Sequence, residues 1–370
     1  MSERRAWPRR RLAKLAWPAL LLALLHALSG CAQLGYLAQS ASGHLRLVSA
    51  AAPVEDWLQR PELTPQLRER LLLSQRLREF ASRELSLPDN NSYRRYADLG
   101  REAAVWNVAA TPELSLQLKT WCFPLMGCVG YRGYFDKAAA EGFAAELAKA
   151  EPGIELSVYP VPAYSTLGYG NWLGGDPLLN TFISYPEAEL ARMIFHELAH
   201  QVAYAADDTE FNESFATAVE QLGVQRWFEL SQGEQATTAW QRYRQGEQRR
   251  EQFLALTLRY RQQLDELYRS PRPDDAKRAA KQALLAQLQA DYRQLQQGEW
   301  QGYAGYDRWF SQVNNASLAM LGTYNGLTPQ FQALFKQLDG DWLRFYTEVK
   351  RLAVLPKTQR RETLLSVRTI

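Results

Sequence analysis

The chain has 370 residues and a formal net charge of +3 at pH 7. Residues 1–30 hold six basic residues and one acidic residue, so the remaining 340 residues carry a net charge of −2. The basic balance therefore belongs to the N-terminal segment, and nothing in the rest of the sequence indicates binding to nucleic acid. A chain of this length suffices for a large core, or for one domain with an appendage.

The N-terminus has the pattern of a secretory signal peptide. A basic stretch over residues 1–14 precedes an apolar stretch over residues 15–28, which is too short to cross a bilayer comfortably. The stretch ends in Leu28-Ser29-Gly30-Cys31, which resembles a bacterial lipobox, where the cysteine thiol is lipidated and becomes the new N-terminus. An ordinary signal peptide followed by an incidental cysteine is the alternative.

The residues after the lipobox predict where the protein resides. By resemblance to Gram-negative lipoproteins, Ala32 rather than Asp after Cys31 favours the outer membrane. Residues 31–53 are small, polar and rich in Ser and Ala, and we expect a tether with some helix. We therefore expect residues 1–30 to be removed. The mature protein would be an outer-membrane lipoprotein at the periplasmic face, held to the membrane by its N-terminal lipid.

Residues 54–233 predict helices and short strands. Thr64 is placed to cap a helix that has Pro65 at its first position and apolar periodicity to about Glu84. Further along the chain, the sequence predicts strands at 104–110, 114–120 and 154–161, and helices at 136–150, about 186–205 and about 210–229. The last two helices carry the histidines and the carboxylates that could bind a metal ion.

Two cysteines lie close together in this region. Cys122 and Cys128 flank a short segment that contains the turn formers Pro124 and Gly127. In an oxidising periplasm such a pair most simply forms a disulfide, whose small loop shapes the local chain more than it anchors the fold. A metal-binding pair is the alternative, although no second cysteine pair completes such a site.

The run His196-Glu197-Leu198-Ala199-His200 carries the strongest chemical signal. On a helix, His196 and His200 lie one turn apart on one face, so both imidazoles can bind the same Zn²⁺. Glu197 lies beside them and is placed to take a proton from water, and Glu213 can supply a third, anionic ligand. The fourth position then stays open for water or substrate, as in catalytic rather than structural zinc sites.

The third ligand is expected to be a carboxylate. The chain has four histidines, and the other two lie in or close to the signal segment. Glu213 is preferred because small side chains on its helix face, at Ala216 and Thr217, let the two helices approach closely. Glu210 and Glu220 are the alternatives.

A chance surface pattern is the other interpretation of the two histidines. The flanking residues argue against it, because an apolar surface nearly all round a helix is typical of burial. Buried His and Glu side chains are costly unless a partner such as a metal ion compensates them, so the sequence predicts a zinc hydrolase. The apolar surface is formed by Met193, Ile194, Phe195, Leu198, Ala199 and Val202.

Residues 234–300 differ in composition, with much Gln, Arg, Glu and Leu and little Gly. Two apolar stripes of helical spacing, separated by Ser270–Asp274, predict a long antiparallel helical hairpin packed on itself or against the body. Its charges are expected to form a solvated face. Residues 301–370 are expected to close the catalytic domain with a helical segment over roughly 315–352. The stripes are Phe253, Leu256, Tyr260, Leu264 and Leu267, and then Leu284, Leu288, Tyr292 and Leu295.

Besides the histidine run, six segments carry a resemblance to known proteins: Thr120–Pro124, Tyr131–Phe135, Ser165–Gly168, Asp176–Phe182, Asn212–Ala216 and Asn314–Ala316. Together they resemble a family of proteobacterial lipoproteins described as putative aminopeptidases. More broadly, His-Glu-x-x-His with a downstream Glu resembles the gluzincins, the thermolysin-like peptidases, although the interval from His200 to Glu213 is shorter here than in thermolysin. The predicted elements and this resemblance together imply an α+β, predominantly helical fold with a zincin-like core, a small sheet and a long helical hairpin.

The resemblance also implies roles for residues outside the metal ligands. Zincins need a group that stabilises the tetrahedral oxyanion, and Tyr324 lies downstream of both metal helices, as the corresponding tyrosine does in zinc aminopeptidases. A packed aromatic is the alternative for Tyr324. Segment 164–182 resembles, in position, the edge strand that holds the substrate backbone. For the α-amine of a substrate, Asp176 and the pair Asp207-Asp208 are candidates, and nothing in the sequence selects among them.

The sequence thus predicts a zinc metallopeptidase that cleaves peptides in the periplasm. Aminopeptidase activity is implied by the family resemblance rather than by a residue, and a zinc endopeptidase acting on envelope proteins fits the residues equally well. A non-catalytic envelope lipoprotein with a structural metal site, whose hairpin binds a partner, is disfavoured because a structural site does not need Glu197 as a general base.

Overall fold

The computed structural model of the protein describes residues 35–123, 127–163, 174–321 and 326–367. The chain has two compact units, residues 1–46 and residues 47–370. The described residues of the first unit belong to helix α1, over residues 35–50, so a helix occupies most of the segment expected to be a tether. Cys31 lies outside the described residues. None of the described helices is long and apolar enough to cross a membrane.

Helices predominate in the described chain, and strands are few and short. The α+β, predominantly helical fold class predicted from the sequence is therefore confirmed. After α1, the helices are α2 Val54–Leu58, α3 Pro65–Arg83, α4 Lys137–Ala150, α5 Glu187–His200, α6 Thr209–Leu230, α7 Glu234–Arg269, α8 Asp274–Gln297, α9 Asp307–Ser311, α10 Asn315–Leu321, α11 Thr328–Gln337, α12 Trp342–Ala353 and α13 Lys357–Leu365.

The strands form three small sheets among the described residues. One has the order β6-β3-β7, antiparallel on both sides of β3, and packs against α4. In the second, β2 pairs antiparallel with β1 and parallel with β8, and β4 and β5 form a separate hairpin. The strands are β1 Ala52–Pro53, β2 Arg95–Ala97, β3 Val105–Pro112, β4 Trp121–Phe123, β5 Gly127–Val129, β6 Tyr131–Tyr134, β7 Ile154–Val161 and β8 Leu178–Leu179.

Local capping explains where several helices begin. Thr64 Oγ1 accepts a hydrogen bond from Leu67 N–H at 3.3 Å, with Pro65 at the first helical position, so α3 starts where the sequence predicts. Asp136 Oδ1 accepts from Ala139 N–H at 2.8 Å at the start of α4. These side chains satisfy backbone donors that the first helical turn leaves free.

The strand predicted at residues 114–120 is wrong. Residues 113 and 114 form a turn, and the following residues are irregular. The segment meets β3 through one backbone hydrogen bond, from Lys119 N–H to Ala110 O at 2.8 Å, and a single bond does not make a strand. The alternating leucines have another role, since Leu116 packs against the apolar cluster of the hairpin. The alternate spacing of these leucines indicates that one face of the segment is buried, and a segment can bury one face without pairing in a sheet.

The main core surrounds α5 and α6. Phe195 of α5 and Phe215 of α6 are fully buried in it. Gly223 of α6 permits the close approach of the two helices, because a Cβ atom there would lie 2.9 Å from Phe195 Cδ2 and 2.7 Å from Leu85 Cδ1. Atoms in a packed core do not tolerate such distances. The fold therefore holds α5 and α6, which carry the candidate ligand side chains, in tight contact with each other.

Helices α7 and α8 form the antiparallel hairpin expected from the two apolar stripes. Arg259 pairs with Asp291. Gln252, which precedes Arg259, bonds to Glu299, which follows Asp291, so the register of the two helices is antiparallel. The apolar residues of both helices form a second core together with residues of α9 and α10. The hairpin thus packs on itself and on the body of the protein.

Asn315 joins the hairpin to the β6-β3-β7 sheet. Its Nδ2 donates to Glu113 O at 2.7 Å, its Oδ1 accepts from Tyr268 O–H at 2.8 Å, and its N–H donates to Glu155 Oε2 at 2.8 Å. Lys281 of α8 also contacts Glu155 and donates to Glu113 O at 2.9 Å. The Asn314–Ala316 segment therefore has a structural role at this junction.

The helical segment expected over roughly 315–352 is divided into α10, α11 and α12. Asp339 and Gly340 have φ values of 60° and 72°, which end the helical path after α11. Asp341 then caps α12, accepting from Leu343 N–H at 2.9 Å and Arg344 N–H at 3.0 Å. A left-handed pair followed by a capping Asp therefore interrupts the apolar periodicity.

Candidate metal centre

The last turns of α5 carry His196 and His200. Their ring centroids lie 4.8 Å apart, as expected for residues four positions apart on one helix face. The helix ends at His200, earlier than the sequence predicts, because Gln201 and Val202 form a turn. The His196 side chain is 18% exposed and the His200 side chain 6%, so the ligand face remains open to solvent at one side.

Glu213 reaches the histidines from α6. The connection between the two helices is fixed by Asn212, whose Oδ1 accepts from Ala205 N–H at 2.7 Å and whose Nδ2 donates to Ala205 O at 2.8 Å. Asp208 caps the helix by accepting from Phe211 N–H at 3.4 Å. The start of α6 is thereby held in place, and the residue after Asn212 faces both histidines.

Side-chain atoms of three residues converge, and each carboxylate oxygen of Glu213 faces a different imidazole. His196 Nε2 lies 3.2 Å from His200 Nε2 and 3.4 Å from Glu213 Oε2, and His200 Nε2 lies 3.7 Å from Glu213 Oε1. Ligand atoms at about 2.0–2.1 Å from a tetrahedral Zn²⁺ are about 3.3 Å from one another. One ligand atom from each residue lies within 4.8 Å of the others, so these three residues form a group that could hold a metal ion.

The charges of the pocket also fit a cation. Burial alone would lower the pKa of His196, but the hydrogen bonds to Glu213 and Glu220 outweigh it and raise this pKa to about 10. Burial, together with the charge of His196, lowers the pKa of His200 to about 4. Two buried carboxylates thus favour one positive charge at the site, which a proton or a metal ion can supply.

Glu220 supports His196 from behind. Its Oε2 lies 2.9 Å from His196 Nδ1, and its Oε1 accepts from Arg192 Nε at 2.7 Å. Burial alone would raise the pKa of Glu220, but Arg192 and His196 lower it to about 2, so the carboxylate is ionised. A carboxylate on the second ring nitrogen fixes the tautomer and orientation of a ligating histidine. Glu220 therefore orients the imidazole of His196 and is not itself in the group that could hold a metal ion.

A family model described as "Putative aminopeptidase" matches residues 35–364, which include the whole of α5 and α6. The chain belongs to the putative aminopeptidase family. A search of curated proteins found no match, and neither did a search of solved structures. Membership of this family supports a peptidase-like function.

Glu197 lies next to His196 on α5 and is half-buried. Burial raises the pKa of the loop residue Tyr93 well above its usual value, and the negative charges of Glu197 and Asp176 raise it further. The Tyr93 hydroxyl is buried and has no hydrogen-bond partner among the described residues. Unsatisfied buried hydroxyls are rare and often mark a site for a ligand or water.

The backbone around Tyr93 is firmly held. Its φ is 63°, an uncommon value for a residue other than glycine, and its N–H donates to Asp176 O at 2.7 Å. Gln201, which follows His200, donates to Ser92 Oγ at 3.2 Å, so this loop is attached to the end of α5. The sequence indicates only a loop here, and no pattern identifies Tyr93 in advance.

Acidic residues at the start of α6 are engaged by two arginines of α13. Asp208 lies 3.1 Å from Arg360 and 2.8 Å from Arg361, Asp207 lies 2.9 Å from Arg360, and Glu210 lies 2.6 Å from Arg361. Glu210 is therefore not part of the ligand group, and the Asp207-Asp208 pair stabilises the fold at this position. Asp176 remains as the candidate for binding a substrate amine.

Tyr324 lies outside the described residues. Just after it, Leu327 N–H donates to Ser214 Oγ at 3.1 Å, and Ser214 follows Glu213. Leu327 is thus bound to α6 beside Glu213. Residues 164–173 of the expected substrate strand also lie outside the described chain. In the remaining part of that segment, the buried strand β8 pairs with β2.

Cys122 and Cys128 form a disulfide that joins β4 to β5, with Cα atoms 3.8 Å apart. Cys122 and Cys128 are paired across the hairpin, and the neighbouring Trp121 packs edge-on against Phe143 of α4. The bridge therefore shapes a hairpin beside α4, and its sulfurs are not available as metal ligands.

Proposed function

We propose that the protein is a zinc-dependent peptide hydrolase that removes residues from the free N-termini of peptides. The observation that carries this proposal is the convergence of His196, His200 and Glu213, with Glu197 beside them. Two imidazoles and one carboxylate suit Zn²⁺, and three protein ligands leave one position open for catalysis. The family description supports a peptide bond as the bond that is cleaved.

Each side chain has a role that follows from its position. A bound Zn²⁺ would polarise the substrate carbonyl and acidify water. A carboxylate oxygen of Glu197 accepts a proton from the attacking water and delivers it to the nitrogen of the departing amine. Glu220 accepts the Nδ1–H hydrogen bond of His196, which directs Nε2 of this ring towards the ligand position.

The preference for a free N-terminus rests on the family description and on Asp176. This residue is 2% exposed, and its charge and that of Glu197 both act on the buried hydroxyl of Tyr93. The alternatives Asp207 and Asp208 are already paired with Arg360 and Arg361. We therefore assign the substrate amine to Asp176.

The preference for a free N-terminus is tested with two peptides that differ only in N-acetylation. We expect the zinc-loaded protein to release the first residue of the free peptide and to leave the acetylated peptide intact. Cleavage of both peptides at internal bonds would favour an endopeptidase acting on envelope proteins. Cleavage of neither, with zinc bound, would favour a non-catalytic lipoprotein with a structural metal.

We propose that Tyr324 donates a hydrogen bond to the oxyanion. Tyr324→Phe is then expected to lower kcat and kcat/KM together by roughly 10²–10³-fold, because the bond forms mainly in the transition state. Zinc content and melting temperature should change little, since the ring is kept. Steady-state kinetics measure the effect, and a near-normal kcat would refute this role for Tyr324 and leave Tyr93 as the next residue to test.

We also propose that the protein is lipidated at Cys31 and anchored at the periplasmic face of the outer membrane. Cys31→Ser is expected to abolish incorporation of a labelled fatty acid and to release the protein from the membrane fraction, because no other anchor is assigned. Fractionation of cells that express either form measures this. Unchanged membrane association would show that another part of the chain binds the membrane.

A further inference from the structure

A chain of charged residues leads from the metal ligand His196 to the hairpin. Its members, called here the charge network, are Glu220 on α6, Arg192 and Glu189 on α5, and Glu247 and Arg250 on α7. The candidate ligands all lie on α5 and α6, so the metal site by itself does not require charged residues from α7.

Arg192 is the centre of the charge network. Its Nε donates to Glu220 Oε1 at 2.7 Å, and its Nη1 lies 3.2 Å from Glu189 and 3.9 Å from Glu247. The side chain is 20% exposed and that of Glu220 only 3%, so water competes weakly for the Glu220 contact. A planar guanidinium can hold carboxylates in several directions at once, which an ammonium group cannot do.

The hairpin side of the charge network is fixed as well. Glu247 is 13% exposed, lies 2.8 Å from Arg250 and accepts from Gln221 Nε2 at 2.9 Å. Arg250 in turn lies 3.2 Å from Glu189. Gln221 directly follows Glu220, so α7 is bonded to the same turn of α6 that holds His196. Exposed ion pairs on a helix contribute little, but these are partly buried and lead to a ligand.

We propose that Arg192 and Glu247 are positioning residues for His196, so that the hairpin helps to set the metal affinity of the site. The inference rests on the proposed metal site. Arg192 holds the carboxylate of Glu220 in line with His196 Nδ1. Glu247 adds an ion pair from α7 at 3.9 Å to the 3.2 Å contact of Glu189, and so helps to keep Arg192 in place. Loss of either contact lets the carboxylate and the imidazole leave the ligand geometry.

The zinc dissociation constant, measured by competition with a chromogenic chelator, tests this proposal. Arg192→Gln is expected to weaken zinc binding by roughly 10-fold and Glu247→Gln by a smaller factor, because direct partners of a metal ligand contribute roughly 10–100-fold and these two residues act through Glu220. Arg192→Lys should recover only part of the loss, because it keeps the charge and not the planar fork. Glu251→Gln is the matched control: the same substitution one turn further along α7, at an exposed residue, with unchanged affinity expected.

The melting temperature of the metal-free variants separates positioning from general stability. A variant that is as stable as the original protein without metal, yet binds zinc more weakly, supports the proposal. If Arg192→Gln does not fold, Glu247→Gln decides, because it leaves the Arg192–Glu220 pair in place. Unchanged zinc affinity in folded Glu247→Gln protein overturns the inference. Absence of zinc binding by the original protein would instead refute the proposed function.

Discussion

Replacement of Glu197 by Gln is expected to lower kcat by roughly 10²–10⁴-fold while zinc stays bound. The amide has nearly the same shape as the carboxylate, so the packing around α5 should be kept. It cannot accept the proton of the attacking water, and that step is the role we assign to this side chain. Elemental analysis and steady-state kinetics on the same preparation measure both parts of the prediction.

Glu187→Gln provides a control for this experiment. Glu187 is in the first turn of the same helix, about 15 Å from Glu197 along the axis. Its carboxylate accepts from Trp227 Nε1 at 2.8 Å, a bond that an amide oxygen can also accept. This variant should keep the original kcat. If Glu197→Gln keeps it too, Glu197 is not the general base.

Replacement of Glu213 by Ala is expected to weaken zinc binding by more than about 100-fold, beyond the usual effect of residues behind the ligands. The carboxylate is the only anionic member of the ligand group, and its loss leaves two imidazoles to hold the cation. Peptide hydrolysis should fall in parallel with zinc content. Isothermal titration of the metal-free protein with zinc measures the change.

Glu210→Ala is the matched control on the same helix. Glu210 lies one turn before Glu213, but its carboxylate is paired with Arg361 rather than with the histidines. We expect this variant to bind zinc normally and to lose only part of its thermal stability. Normal zinc binding and activity in Glu213→Ala would show that the third ligand has been assigned incorrectly.

The grouping of the candidate ligands could be predicted from the sequence because its geometry is local. His196 and His200 are separated by one helical turn, so their common face follows from the helix itself. Glu213 required an argument about the approach of a second helix, and the small residues on that helix supplied it. Gly223, whose hydrogen leaves room for Phe195, contributes to the same close packing.

The residues behind the ligands could not be predicted in the same way. Glu220 appears in the sequence as an alternative ligand, and only the rotation of α6 against α5 decides that it meets Nδ1 of His196. Arg192 and Glu247 come from helices that are far apart in the sequence. Tyr93 lies in a loop whose backbone has a positive φ, and an ordinary tyrosine gives no signal of that.

The fold shows the same division between local and distant determinants. The hairpin follows from two stripes of helical period, and α3 from a capping Thr with Pro after it. The strand expected at 114–120 is wrong because Leu116 is placed by packing against the hairpin, a contact with residues far away in the sequence. Strands as short as β1 and β8 carry too few residues for a recognisable period.

The most direct test of the proposed zinc peptidase is a zinc titration of the metal-free protein. The rate of release of the N-terminal residue from an unblocked peptide is measured after each addition. We expect no activity without zinc, a linear rise, and a plateau at one zinc ion per chain. The same titration of Glu197→Gln should bind zinc equally and stay inactive. A rate that is equal with and without zinc, or a protein that binds zinc and cleaves no peptide, would contradict the proposal.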